Sequence, residues 1–434
     1  MQTRSPRLWS PHKLVGMRVL TFSLLLLFAP LGQGGFGLAQ LSSPLEGDQN
    51  PQPPPREAPA PLEAVLVLRE EVIEDGALKV YVGTRKKPVA SEGEVKALLK
   101  AWAREARPPR FILEGGRWRG VEKVGIAFDE KEALAAFRKA LSEGRRSFLL
   151  PARYTPPKPS LRELYALGVR EHLATGETDF KGSHPNRVHN IRLAASRLDA
   201  LLIPPGAFSF NRALGEVSER TGYKEAFVIV GDRTEQGVGG GVCQVSTTLF
   251  RAAYLAGLPI LERYPHSYQV RYYTPPGLDA SVYQPWRDLR FLNDTPGHLY
   301  LQASLQGSRL RFHLFGTKDR TVRLEGPVVL ERKPPLPERR ILDPSLPPGA
   351  VKQVDFAAEG LTLYWRRAVR YRDGREKTDL LRSTYQPWGA VFLVGPTPEP
   401  PKEGPAPRGG GDGAREDAPP QRGADGGTAP PEGR

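Results

Sequence analysis

The chain has one cysteine and two methionines in 434 residues. A single cysteine excludes an internal disulfide framework and a paired-cysteine metal site. No HExxH pattern and no zinc-finger spacing occurs, so the motifs call for no metal and no other cofactor. A basic helix with interleaved aromatics is also lacking. Nothing therefore marks nucleic acid as a partner, although the formal net charge is +14. The apolar run VLTFSLLLLFAPL, Val19 to Leu31, is shorter than the roughly 20 residues of an ordinary membrane-spanning helix.

That run has the features of an export signal. Arg18 precedes it, and small residues lead from it to Gly37-Leu38-Ala39, a candidate cleavage site before Gln40. Met17 is an alternative start to Met1. The other reading of residues 1–39 is an uncleaved N-terminal anchor that attaches the protein to the membrane. Both readings put the folded part outside the cytoplasmic membrane, in the wall, the periplasm or the medium. Loss of residues 1–39 removes Arg4, Arg7, Lys13 and Arg18 and lowers the net charge from +14 to +10. Most of the remaining Lys and Arg read as solvated surface, and an anionic cell wall is the partner such a surface fits.

Proline (44) and glycine (45) concentrate at the two ends. Residues 40–61 read as a disordered linker and 396–434 as a disordered tail. Between them the pattern predicts a multidomain α+β protein. Residues 62–159 form a small α+β module: strands in AVLVLREEVI and ALKVYVG, a helix capped by Ser91, a helix capped by Asp129 and ended by Gly144, and a strand in SFLLPARY. Residues 160–317 form a central α+β domain. Helices are expected at Leu161 to Thr175 and at Pro185 to Leu202, followed by strands in AFSF, EAFVIV, SYQVRYY, DLRFLN, LYLQASL and LRFHLFG. Residues 321–395 alternate as a small all-β module does.

The cysteine lies in GVGGGVCQVSTTLF. Residues 243–256 have helical spacing, with Val245, Leu249, Ala252, Ala253 and Ala256 on one side, and Gly257 and Pro259 stop the helix. Cys243 thus sits at a helix N-terminus, where the dipole and unpaired N–H groups favour the thiolate. Gly239, Gly240 and Gly241 allow unusual backbone angles and room for a substrate backbone. A buried packing cysteine is the competing reading. A nucleophilic cysteine needs a base. His266, in YPHSYQV, is the first choice and His189 the second; His184 lies in a loop beside a proline, and His172, His298 and His313 read as incidental.

From Leu161 to Leu305 the chain resembles the VanW family. The matching pieces are TGETDFKGSHPNRVHNIRLAASRLDALLIPPGAFSFN, GYKEAFVIV, GGGVCQVSTTLFRAAYLAGLPILERYPHSY, GLDASV and DLRFLNDT. The stretch before Ser160 is similar to the wall-binding modules that precede this domain, and the stretch after Thr321 is similar to a G5 module. The family is named for an accessory gene of vancomycin resistance, and some exported members act as L,D-transpeptidases of peptidoglycan. The resemblance implies that Cys243 is the nucleophile of a cysteine acyltransferase acting on peptidoglycan stem peptides. Asn190, Ser209, Asn211, Gln244 and Asp279 fall in family-like segments as well. Gly239, Gly240, Gly241, Gln244, Ser246, Asn190 and Asn211 are expected to contact substrate. The alternative is a non-catalytic wall-binding or surface scaffold protein associated with glycopeptide resistance.

Overall fold

The structure, a computed structural model, describes residues 60–230 and 233–397. The expected export signal or anchor lies outside the described residues, and so does nearly all of the expected linker and tail. Among the described residues no helix is long and apolar enough to cross a membrane.

The fold is α+β throughout its first two stretches. Strands Leu62–Glu74 and Ala77–Val89 pair over their whole length. Asp75 and Gly76, both at positive φ, make the two-residue turn that matches strand twist. Helices α1 (Glu92–Trp102) and α2 (Glu130–Ser142) begin where their caps predict. Ser91 accepts from the Glu94 N–H, and Asp129 from the Glu132 N–H. Their apolar faces, Val95, Leu98, Leu99 and Trp102 against Ala133, Leu134, Phe137 and Ala140, close one core. A second cluster joins Ile73 and Phe111 to Leu161, Leu164, Val169, Tyr300 and Phe315, so the first stretch is packed onto the second.

The central region departs from expectation three times, once where the helix expected to reach Leu202 ends at Leu198 and Leu201–Ile203 pairs as a strand. Helix α3 covers only Leu161–Ala166 and does not run on to Thr175. Gly168, at φ +90°, turns the chain, and the Val169 N–H closes onto the Leu164 carbonyl. Glu171–Asp179 then forms a strand whose alternate residues Ala174, Gly176 and Thr178 are buried. It pairs with Arg309–Gly316, in a sheet completed by Leu299–Gln306 and Leu201–Ile203. SYQVRYY is not a strand; its end is a 3-10 turn, Arg271–Tyr273, which turns Tyr273 into the core.

Helix α4 is Pro185–Leu198, α5 is Phe210–Leu214 and α6 is Val242–Leu255. The sequence shows one apolar side on α6, but the helix is buried almost all round, Gln244, Ser246, Thr247, Thr248 and Arg251 included. It crosses Glu171–Asp179 at backbone contact. A Cβ on Gly176 would lie 2.1 Å from the Thr248 carbonyl oxygen and 2.5 Å from the Ala252 nitrogen, so only glycine fits.

The third stretch is all β. Arg320–Lys333, Gly360–Tyr371 and Glu376–Tyr385 form an antiparallel sheet, and Arg339–Leu342, Val391–Val394 and Val351–Asp355 form a second. Leu361, Leu363, Trp365 and Tyr385 belong to the same core as α6. The described residues fall in one compact unit.

Candidate functional site

The turn before α6 is built by glycine geometry. Gly239 has φ +89° and Gly241, the N-cap, has φ +111°. A Cβ on Gly239 would sit 2.3 Å from Val217 Cγ1, and one on Gly241 would meet the Arg187 carbonyl and Ile191 at 3.0 Å. These glycines admit neighbouring protein rather than opening room for a ligand. Asn190, fully buried on α4, braces the turn: its amide donates to the Gly240 and Lys224 carbonyls, and its oxygen accepts from the Lys224 N–H.

Helix α6 then fastens the segment that passes its N-terminus. Arg251 donates to the carbonyls of Tyr273, Thr274 and Leu278. Ser246 donates to the Ala280 carbonyl at 2.6 Å, and Thr247 accepts from the Ala280 N–H at 3.0 Å. Cys243 Sγ lies 3.5 Å from the Val282 carbonyl oxygen. Strand Ile260–Glu262 leads to the bridge Tyr264↔Ser281, which brings His266 alongside the same segment.

The result is a line of three side chains. The Asp279 carboxylate accepts from the His266 backbone N–H at 2.9 Å and from Nδ1 at 2.5 Å. With Nδ1–H committed to Asp279, Nε2 is the atom left for the Cys243 sulfur, and each of the two groups favours the charged form of the other. Asp279 is also held by Arg263 at 3.1 Å and by the Tyr385 hydroxyl. His266 and Asp279 are 4% and 2% exposed, while Cys243 is partly exposed. Cys243 is thus the least enclosed residue of the three.

The electrostatics favour an ion pair. Burial pushes the His266 imidazolium down, but its hydrogen bonds to Asp279 and Cys243 outweigh burial and raise the pKa to about 9. Burial pushes the Cys243 thiol up. The His266 hydrogen bond and charge, the Val282 backbone and the Arg187 charge together bring it below its ordinary value. Burial likewise opposes ionisation of Asp279, yet His266, Arg263 and Tyr385 hold its carboxyl well below the usual range.

The other expected site residues lie elsewhere or serve the scaffold. His189 is exposed and its Nε2 bonds to the Gly222 carbonyl at 2.8 Å, so it stands outside this line. Ser246 is fully buried and spends its proton on Ala280. Asn211 donates to the Arg287 carbonyl, and Ser209 to Asp288. Gln244 is fully buried; its Oε1 accepts from Arg187 at 2.8 Å and its Nε2 has no partner. Its backbone N–H closes onto the Gly241 carbonyl. His184 caps α4, and His172 and His313 share Thr175. Among the described residues no group of three or more His, Cys, Asp or Glu could hold a metal ion.

Sequence reasoning grouped Asp279 with the family-like positions without giving it a role, and it missed Arg187, Arg263 and Tyr385. The signal for Asp279 was an acid in an apolar segment, GLDASV. Tyr385 lies 106 residues further on, in a different sheet, and no local pattern marks it.

Residues 186–315, which contain all three members of the line, match the family described as VanW like protein. The chain carries a VanW-like domain. It is 39% identical over 156 residues to the uncharacterized protein YoaR of Bacillus subtilis, covering 36% of this chain and 51% of that protein. It is 32% identical over 140 residues to the vancomycin B-type resistance protein VanW of Enterococcus faecalis, covering 31% and 50%. The chain thus spans about half the length of these curated relatives. Two G5-domain structures align with 18% of the chain: that of an IgA1 protease (16% identity, TM-score 0.12) and HP0197-G5 (23%, 0.10). The all-β character of the stretch after the VanW-like domain is read from its own strands.

Proposed function

We propose that this protein is an extracytoplasmic cysteine acyltransferase, an L,D-transpeptidase of peptidoglycan stem peptides. The observation that carries the reading is the alignment of Cys243, His266 and Asp279, with Cys243 the least enclosed of the three.

In the proposed reaction the Cys243 thiolate attacks the carbonyl carbon between the third stem residue and the terminal D-alanine. A carbon–sulfur bond forms and the carbon–nitrogen bond breaks. His266 Nε2 gives its proton to the departing amine. The side-chain amine of a neighbouring stem's third residue then attacks the thioester, its proton passes to His266, and the thiolate leaves. The product is a cross-link between the third residues of two stems. With water in place of the amine the site is a carboxypeptidase. Asp279 holds the ring and stabilises the imidazolium. The Gln244 N–H is spent on Gly241, so the oxyanion is assigned to the N–H groups of Cys243 and Val245 at the start of α6.

The likeness to a protein named for vancomycin resistance supports a cell-wall setting, and the basic surface fits an anionic wall. The test is incubation of the protein and of Cys243→Ala with tetrapeptide muropeptides, read by mass spectrometry. A dimer lacking one D-alanine is expected with the intact protein alone. No product from either protein would overturn the reading in favour of a wall-binding scaffold.

A further inference from the structure

Beside the thiol stands a cation that has no anion. Arg187, in the first turn of α4, is half-buried. Its Nη1 donates to Ser183 Oγ at 2.6 Å and its Nη2 to Gln244 Oε1 at 2.8 Å. Its charge also acts on the hydroxyl of Tyr273, whose ring packs 4.9 Å from that of His266. The face of its guanidinium lies 4.2 Å over the Tyr272 ring. Among the described residues no carboxylate pairs with it. Arg263, Arg320 and Arg367 are more deeply buried, and each holds an aspartate. Arg197 and Arg251 spend their N–H groups on peptide carbonyls.

An arginine is costly to bury without a counterion. Arg187 is nevertheless fixed by two polar partners and a ring, close enough to Cys243 for its charge to act on the sulfur. A second observation points the same way. Gln244 Nε2, the amide nitrogen next to the oxygen that Arg187 grips, is buried with no acceptor. A guanidinium without a carboxylate and an amide N–H without an acceptor therefore stand side by side next to the nucleophile, and a guanidinium fork matches a carboxylate.

We infer that Arg187, backed by the Gln244 amide, recognises a carboxylate, so that the acyl donor is a peptide whose free C-terminal carboxylate lies one residue beyond the bond attacked. This rests on the acyl-transfer reading and names the residues that would hold the donor's terminal carboxylate. Donors blocked at that carboxylate, or extended beyond it, are poor. The site trims or transfers from chain ends and does not cut within a chain.

The test uses two reagents of nearly one shape, iodoacetate and iodoacetamide. The Cys243 thiolate displaces iodide from either. Both rates report thiolate content, so their ratio reports recognition of charge alone. In the intact protein iodoacetate is expected to gain on iodoacetamide. In Arg187→Gln that ratio falls roughly tenfold to a hundredfold, the loss expected for hydrogen bonds to a charged group. Arg187→Lys keeps part of it. An unchanged ratio, with both rates falling together, would reduce Arg187 to a support of the thiolate and overturn the inference.

A measurement on the intact protein stands in if the variants do not fold. N-acetyl-D-alanine should protect Cys243 from iodoacetamide and N-acetyl-D-alaninamide should not; equal protection, or none, overturns the inference. Neither assay needs turnover. Inactivity on muropeptides with the charge preference intact would therefore sink the transpeptidase reading and leave the carboxylate site standing.

Discussion

Each member of the line at the site is set by its nearest neighbours, and each neighbour makes a distinct expectation. His266 is held protonated to about pH 9, while the thiol is shifted below its ordinary value. The nucleophilic pair therefore exists between those limits. Iodoacetamide alkylation of Cys243 should remain fast at pH 7, where an ordinary thiol is mostly protonated, and turnover should fall on the alkaline side near pH 9 as His266 loses its proton. An alkaline limb at the usual histidine range instead would contradict the paired state. The stability term has the same sign. A histidine whose pKa is raised on folding contributes fully below its free value of about 6.5 and loses that contribution as pH rises toward 9. Asp279→Asn removes the charge that stabilises the imidazolium and leaves one oxygen to serve His266, Arg263 and Tyr385. It should lower turnover by roughly a hundredfold to ten-thousandfold, the range of a positioned acid–base group. Tyr385→Phe leaves the charge and removes one donor; it should cost about 1.5–3 kcal/mol of stability and pull the alkaline limb of the pH profile to a different value.

At the scale of elements, α6 does two things that compete. In the acyl-transfer reading its N-terminus receives a substrate, and its body is the most enclosed helix in the central region. Gly176 makes the second possible. Gly176→Ala puts a Cβ into the backbone of α6, and it should destabilise the protein by at least about 1–3 kcal/mol, read by thermal melting. A neutral result would mean that strand and helix can separate. The junction of the first two stretches has its own pH dependence. His172 and His313 share Thr175, and His172 stacks on Trp118 at 4.9 Å. Burial depresses the His172 pKa to about 4, helped by Lys318, and burial with its neighbour does the same for His313. The unfolded chain then takes up protons between pH 6.5 and 4 that the folded one refuses, so stability falls as pH falls through that window. The melting temperature should drop across it, and His313→Asn should flatten the drop.

What was legible at this scale followed from local chemistry. Ser91 and Asp129 announced their helices because a cap needs only the next three residues. EHLATGETD read as the continuation of a helix because its apolar residues are sparse, and only pairing with a distant strand makes Ala174, Gly176 and Thr178 an inward face. RYY carries strand-forming residues, yet Tyr273 gains more by packing on His266 than by alternating along a ladder. Cys243 was legible from the glycines before it, and His266 from the turn after the helix that follows. Asp279 and Tyr385 were not, since what gives each its place is a contact made through the folded whole.

For the whole molecule, the all-β stretch is a structural part of the VanW-like domain's core. Leu361, Leu363, Trp365 and Tyr385 enter that core, Arg367 donates to the carbonyls of Tyr254 and Leu258 at the end of α6, and Trp365 Nε1 donates to the Pro276 carbonyl. A chain cut before Arg320 should expose this apolar face and lose protease resistance in the central domain as well. Survival of that domain unaltered would show the two to be independent.

The contact between Tyr385 and Asp279 also bears on when the sulfur becomes dangerous. Translation delivers the cysteine well before the tyrosine that steadies its distant carboxylate. Until the strand of that tyrosine is in place, the carboxylate that faces the imidazole lacks one of the donors that hold it. A chain clipped within the last sheet returns to that state. In the acyl-transfer reading, the site is complete only in the finished molecule.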